Sequence, residues 1–249
     1  MAEHSSRGSF VELLAPGTNI LSIFPLMSSL NRSAKIHLGM EGMELSDGTS
    51  SAAALTSGAL ALIVDHLRKQ NPAKNKAPLS REVLARVFAS SLPLSQQSDF
   101  LINGGLVQVS KALNITPRPF LRANLKAHRE VLYSPEDGSF HLPIEIQSLW
   151  RSAKNVEVQV SLLPAMDQVR LTNKNFRISE IGEGHSKTID IKGRIVDFKK
   201  DSRIGIRLSL RGDGVDQPPV NHQWVLTRNI RNQGKEFLVN IDKKESPLK

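Results

Sequence analysis

The segment Gly48-Thr49-Ser50-Ser51-Ala52-Ala53-Ala54 constrains this chain more than any other. A Gly turn, hydroxyl residues and a run of alanines dictate the start of a helix, since Ser and Thr favour helix N-termini and Ala has the highest helix propensity. Leu55, Gly58, Ala59, Leu62, Ile63 and Leu67 follow at three- and four-residue spacing, the stripe of one buried helix face. His66, Arg68 and Lys69 complement the negative end of the helix, and Asn71-Pro72 stops it. A helix begun in this way presents unpaired backbone N–H groups and the positive end of its dipole beside Ser50. Gly48 lets the backbone take an unusual turn and approach a ligand closely. The simplest reading of the tripeptide by itself is an N-capped buried helix. A serine in this place also has a chemical reading. Its hydroxyl becomes a nucleophile when a base takes the proton and fixed donors hold the developing oxyanion.

Around this helix the first part of the chain reads as α/β. A strand is expected over about Val11–Leu14, then a loop at Ala15-Pro16-Gly17. Asn71–Pro78 reads as a polar linker. Ser80 caps a second helix, with Glu82 in its first turn, an apolar side of Val83, Leu84, Val87 and Phe88, and an end near Ser90. Asn103-Gly104-Gly105 turns into a short strand at Leu106–Val109, and Ser110–Leu113 begins a last short helix. Thr116-Pro117-Arg118-Pro119 breaks regular structure, which places a domain boundary there, with one domain over 1–116 and a second over 117–249.

The second part alternates apolar and polar residues at 156–162, 188–195 and 204–210, with turns at Pro135–Gly138 and Gly212-Asp213-Gly214. Closing strands follow at Gln223–Leu226 and Glu236–Ile241. This pattern predicts an all-β, sandwich-like domain with a disordered tail over Asp242–Lys249. Charge is unevenly divided. Residues 1–116 carry 10 Lys/Arg against 8 Asp/Glu, and residues 117–249 carry 23 against 16. The basic residues are scattered singly, and with 1 Tyr and 2 Trp there are few stacking platforms, so solvated strand faces are expected rather than nucleic-acid binding. The absence of Cys excludes disulfides, zinc–thiolate sites and a Cys nucleophile. The sequence holds no metal cluster with convincing spacing, and neither a metal nor another cofactor is expected. No run of eighteen apolar residues is present, so membrane insertion is not expected either. The first residues, Met1–Arg7, lack a following apolar core and do not read as a secretory signal; the compartment is left open.

Four elements, in order, resemble subtilisin-like serine peptidases. Ser5-Ser6-Arg7-Gly8 is similar to the S-x-x-G element before a strand, and Val11–Ser22 resembles the strand and Ala-Pro-Gly loop that precede the nucleophile. Gly48-Thr49-Ser50 with Ser57–Leu62 resembles the nucleophile turn and helix, and Asn103–Leu113 the segment closing the catalytic domain. The resemblance covers about residues 5–113. It implies the C-terminal portion of a parallel-sheet catalytic domain with Ser50 as nucleophile and backbone oxyanion donor, supported by Gly48 and Thr49. The substrate would be a peptide or protein.

The sequence departs from that pattern in three places. Ala54 stands where the family usually has Pro, a change the first turn of a helix tolerates. The span from Gly17 to Gly48 is long, so Ile23–Leu45 reads as an insertion. Its Met27, Met40 and Met43 are read as ordinary packing, with a substrate edge as the alternative. No D-[ST]-G or H-G-T-H segment and no oxyanion Asn precedes Ser50. His185 in Gly182-Glu183-Gly184-His185 and Asp201 read as a loop His and a turn Asp rather than triad members, and nothing around His4 resembles the family's His helix. The resemblance therefore implies a partner, the N-terminal part of the peptidase, supplying Asp and His. This chain alone is expected to be inactive. The alternative is a non-catalytic binding protein, a peptidase remnant joined to a β-sandwich module.

Overall fold

The computed structural model describes residue 5 and residues 11–23, 43–70, 80–93, 105–125, 131–134, 137–164, 166–196, 203–227 and 236–240. Three helices lead: α1 (Thr49–Gln70), α2 (Ser80–Ser90) and α3 (Val109–Asn114). α1 buries Ala59, Ile63 and Leu67, one residue per turn along a single side. Ile63 and Leu67 meet Val83 and Val87 of α2 and Ala112 of α3 in one cluster, with Leu13 and Val107 packed against it. The opposite side of α2 is apolar as well. Ala85 and Phe88 pack with Phe120, Leu149 and Trp150, and the Phe88 and Phe120 rings stack with centroids 5.9 Å apart. α2 thus lies between the other helices and the β-structure, which explains why its burial runs almost all the way round.

The strands β1 (Ile20–Ile23) and β2 (Met43–Ser46) form a separate antiparallel ribbon. The others are β3 (Leu121–Leu125), β4 (Val131–Tyr133), β5 (Ser139–Ser148), β6 (Ala153–Leu162), β7 (Val169–Leu171), β8 (Asn175–Ile181), β9 (Ser186–Ile195), β10 (Arg203–Arg211), β11 (Val220–Thr227) and β12 (Glu236–Asn240). They make one ten-stranded antiparallel sheet in the order β7-β9-β5-β4-β12-β11-β10-β6-β8, with β3 also paired to β5. β5 is its spine: β9 runs along one side, while β4 and β3 share the other. Alternation along the strands sends Phe140, Leu142, Ile144 and Ile146 of β5 into a single core. Ile189, Ile191 and Ile195 of β9, Val156, Val158 and Val160 of β6, and Ile206, Leu208 and Leu210 of β10 join them.

One expectation about the fold is corrected, and a second, the sandwich, is not confirmed. Among the described residues the parallel sheet is not found: both sheets are antiparallel. The parallel pairing expected around the Ala-Pro-Gly loop reduces, among the described residues, to an isolated bridge between Leu14 and Leu106, and Leu106 is bridged in antiparallel sense to Leu92. Val11–Leu14 and Leu106–Val109 each offer one bridged residue before the backbone turns away, so neither grows into a strand. Nor do the strands after residue 117 divide into the two separate sheets of a sandwich. Nine of the ten lie on one hydrogen-bonded path, with β3 joined to it through β5, and both ends of that path feed the same core. The linker at 71–78 and the tail at 242–249 lie outside the described residues.

The helices and the sheet meet along a seam of arginines. Arg81 of α2 pairs with Glu183 in the β8–β9 turn at 3.1 Å. Arg118 pairs with Asp216 at 3.0 Å and donates to the Ala89 carbonyl at the end of α2, at 3.0 Å. Arg122 of β3 is ion-paired with Glu12. Gln217 presents its amide to both the N–H and the C=O of Leu121, pairing with β3 as a further strand would.

Candidate active site

Ser50 is the second residue of α1, and its side chain is exposed. The ribbon β1–β2 delivers the chain to this point: β2 ends at Ser46, and Asp47 Oδ1 accepts the Asn19 amide across the ribbon base. Gly48 then adopts φ +153°, a conformation that side-chain-bearing residues rarely take. Its carbonyl accepts the Ser51 and Ala52 amides at 3.2 and 3.5 Å and so opens the helix. A Cβ built on Gly48 would lie 3.3 Å from Ser50 Oγ, so the absent side chain also clears the hydroxyl. The Gly48 amide donates to the Gly17 carbonyl at 2.7 Å. Gly17 is in turn pressed against this turn, where a Cβ would meet the Gly48 carbonyl oxygen at 2.9 Å and Ala52 Cβ at 3.3 Å. The Ala15-Pro16-Gly17 loop and the Gly48-Thr49-Ser50 turn therefore form one interlocked unit.

The hydrogen bonds that open α1 come from Ser51 and Ala52, which leaves the Thr49 and Ser50 amides at the tip of the helix, among the described residues, as unpaired donors of the kind every helix start presents. An exposed hydroxyl thus stands beside such donors at the positive end of a 22-residue helix. Ser51 Oγ lies 3.4 Å from Ser46 Oγ and braces the same turn from the ribbon side. Thr49 is exposed at the first helical position.

The structure brings Gly17, Gly48, Thr49 and Ser50 together and places the described histidines elsewhere. His66 is sixteen residues further along α1, about 24 Å away at 1.5 Å per residue, and its Nε2 lies 2.9 Å from Gln70 Nε2. His185 Nδ1 is 3.1 Å from its neighbour Glu183's carbonyl in the β8–β9 turn, the turn that Arg81 clasps. That geometry accords with a loop His rather than a triad member. His141 of β5 and Asp190 of β9 form a pair at 3.0 Å, with Lys192 Nζ 3.8 Å from the same carboxylate, on the exposed outer face of the sheet. The sequence gives no hint of this pair, because its members are 49 residues apart and meet only through the β5–β9 register. Nor does it signal the Arg122–Glu12 contact across 110 residues. Among the described residues no histidine reaches Ser50. Asp201, His4, Met27 and Met40 lie outside the described residues; Met43 is the first residue of β2 and is half-buried.

A helix-start serine in a Gly-Thr-Ser turn, locked against an Ala-Pro-Gly loop, can be set beside known families. Residues 1–97 match the model of the Subtilase family. The match assigns this part of the chain, residues 1–97, to the subtilase family. The match takes in the Ala-Pro-Gly loop, the Ser50 turn, α1 and α2, and it ends before Asn103–Leu113 and before the sheet. No curated protein matches the chain. The subtilase segment supports a serine-peptidase-like hydrolase by resemblance.

Proposed function

We propose that this chain is the C-terminal part of a subtilisin-like serine peptidase, with its catalytic region over 1–116 and an accessory β-domain over 117–249. Ser50 Oγ attacks the scissile carbonyl carbon of a peptide or protein substrate. Its proton passes to a histidine base, oriented by an aspartate, both supplied by an N-terminal part of the peptidase that associates with this chain. The Ser50 amide holds the oxyanion together with an upstream Asn side chain. The scissile C–N bond then breaks as the histidine gives its proton to the leaving amine, and water hydrolyses the resulting acyl-enzyme on Ser50, freeing the carboxylic acid and restoring the serine.

The observation that carries this reading is the exposed Ser50 hydroxyl at the tip of α1, cleared by Gly48 and fixed by Gly17 within the subtilase segment. A second observation supports the missing partner. From Thr49 to Val64 α1 carries no charge, yet only one side of it is covered; Leu55 and Leu62 are 43% and 59% exposed. By length and composition alone the helix could cross a membrane. On this reading its uncovered side docks the upstream part of the catalytic domain.

The test uses a fluorophosphonate probe. The chain alone is expected to show no peptide turnover, because triad members act as a unit. Mixed or co-expressed with the upstream part, it should label at Ser50, and Ser50→Ala should abolish both labelling and turnover. Turnover by the isolated chain, lost on Ser50→Ala, would show that the base is within it. Absence of labelling in the assembled protein would favour the non-catalytic binding protein, a reading to which the lack of a histidine beside Ser50 among the described residues also lends weight.

A further inference from the structure

We infer that the β-sheet braces the nucleophile turn, and that Arg122, acting through Glu12, is a positioning residue for Ser50; the catalytic meaning of this brace rests on the reading of Ser50 given above. Arg122 sits within the β3–β5 ladder, opposite Gln147, and is therefore part of the sheet's framework. Its guanidinium is ion-paired with the Glu12 carboxylate; both side chains are largely covered, at 26% and 35% exposure. The Arg122 Nε is buried without an acceptor among the described residues, so the contact with Glu12 is what fixes the head group.

From Glu12 the connection to the nucleophile is short and tied at each step. Leu13 packs against both helical clusters. The Leu14 amide donates to the Gly105 carbonyl at 3.0 Å, and its carbonyl accepts the Val107 amide at 2.9 Å. Ala15 and Pro16 follow, the latter with its φ fixed by the ring. The Gly17 carbonyl then receives the Gly48 amide at 2.7 Å, two residues before Ser50. A segment of six residues thus joins a charged contact on the sheet to the turn that aims the nucleophile.

The layout places the role of the ion pair in the aim of that turn more than in global stability. Leu13 and Leu14 keep their own contacts when the ion pair is removed, so the helical layer stays docked while the Val11–Gly17 segment loses one of its anchors. An accessory domain that served only as an independent binding module would have no need of a contact feeding the nucleophile turn.

The experiment is amide hydrogen exchange on the full chain, resolved to Gly48 and compared with the β5, β6 and β10 core amides. Arg122→Met should raise exchange at Gly48 roughly fivefold, the effect of losing a partly buried ion pair on a local opening, with the core amides unchanged. Arg122→Lys should restore most of the protection. The charge exchange Glu12→Arg with Arg122→Glu should recover protection relative to either single change, an outcome a generic loss of packing would not produce. Unchanged protection at Gly48 in Arg122→Met would overturn the brace, as would a uniform rise across sheet and helices. If Arg122→Met fails to fold, Glu12→Gln and Arg122→Lys carry the same comparison. The readout needs no turnover. Lost protection at Gly48 with an unreactive Ser50 in the assembled protein would uphold the mechanical coupling and refute the nucleophile. A reactive Ser50 with unchanged protection would refute the brace alone.

Discussion

Arg86 is the side chain whose removal should be felt most in the helical layer. It lies in the middle of α2 and is 7% exposed, an unusual place for a cation. Its Nη1 donates to the carbonyls of Ala112 and Ile115, both at 3.3 Å, and so closes the C-terminal end of α3. Its Nε is 3.4 Å from Glu82, one turn earlier on α2. Its guanidinium carbon sits 4.8 Å from the centroid of the Trp150 ring. One side chain therefore links α2, α3 and the end of the sheet. Replacement by Met keeps the stem and removes the charge. Two carbonyls then lose a donor, at about 1 kcal/mol each given the long distances. A desolvated cation–π contact is lost as well, worth about 1–2 kcal/mol. Glu82 is 30% exposed and can turn to water, so its share is roughly 0.5 kcal/mol. Against this stands the relief of no longer burying a cation, of order 1 kcal/mol here because Met fits the same space. The net expectation is a loss of about 2.5–3.5 kcal/mol for Arg86→Met, and about 4 kcal/mol for Arg86→Ala, which also leaves a cavity.

Urea unfolding of the full chain, followed by tryptophan fluorescence, measures this directly. A cycle combining Arg86→Met with Trp150→Leu should show about 1 kcal/mol of coupling, since the two side chains are in contact. If Arg86→Met is as stable as the parent or more so, the reasoning fails. The buried cation would then be a net cost, and the end of α3 would be held by something other than its guanidinium.

Three further outcomes can be checked. Gly17→Ala should displace the nucleophile turn, because the new Cβ would sit 2.9 Å from a backbone oxygen that cannot swing away; a fall of tenfold or more in Ser50 labelling of the assembled protein is expected, and undiminished labelling would show that the two loops are not interlocked. Leu55→Lys with Leu62→Lys should change the stability of the isolated chain by less than about 0.5 kcal/mol per site yet prevent assembly with the upstream part, as read by size-exclusion chromatography. The Asp137 carboxyl is lowered from 3.8 to about 2, chiefly by the Ser139 backbone N–H, then by the Ser139 and Ser134 hydroxyls and the Arg194 charge. A depressed carboxyl contributes stability above its ordinary value and loses it as pH falls through the folded value, so an NMR titration should find the Ser139 and Ser134 hydrogen bonds to Asp137 intact at about pH 3.5 and an Asp137 inflection near 2; an inflection at the ordinary value would refute the assigned hydrogen bonds.

The helices were legible because their signals are local. The stripe through Ala59, Ile63 and Leu67 and the charges at Arg68 and Lys69 place α1 almost to the residue, and Ser80 marks the start of α2. The Ser50 turn was legible for the same reason. The sheet was legible only in parts. β6, β9 and β10 alternate cleanly and were found, whereas β8 carries Asn175, Arg177, Ser179 and Glu180 on an exposed face with few β-branched residues to mark it. β5 escaped because Pro143 interrupts its pattern; its backbone tolerates the Pro where it faces Asp190 of β9. The order of the ten-stranded sheet could not be read at all, since it depends on pairings as distant as β4 with β12. The seam was equally hidden: Arg81, Arg118 and Arg122 look like scattered surface charge in the sequence, and only the register that sets each beside Glu183, Asp216 and Glu12 gives them a purpose.

The uncovered side of α1 is where sequence and structure bear on each other most. A 22-residue helix with an uncharged first two-thirds satisfies the arithmetic of a membrane span. Its packing argues for a different solvent. Ile63 and Leu67 are spent on α2 and α3, which carry Arg86 and Lys111 and could not follow it into lipid without taking those charges along. The exposed side is built from Ala53, Ala54, Gly58 and Ala61, with Leu55 and Leu62 along its edge. Small residues in that arrangement allow another backbone to come close. They also begin one turn after Ser50, so whatever packs there is carried up to the Ser50 turn. On the proposed reading, the surface that makes this helix look unfinished is the one that brings the histidine to Ser50.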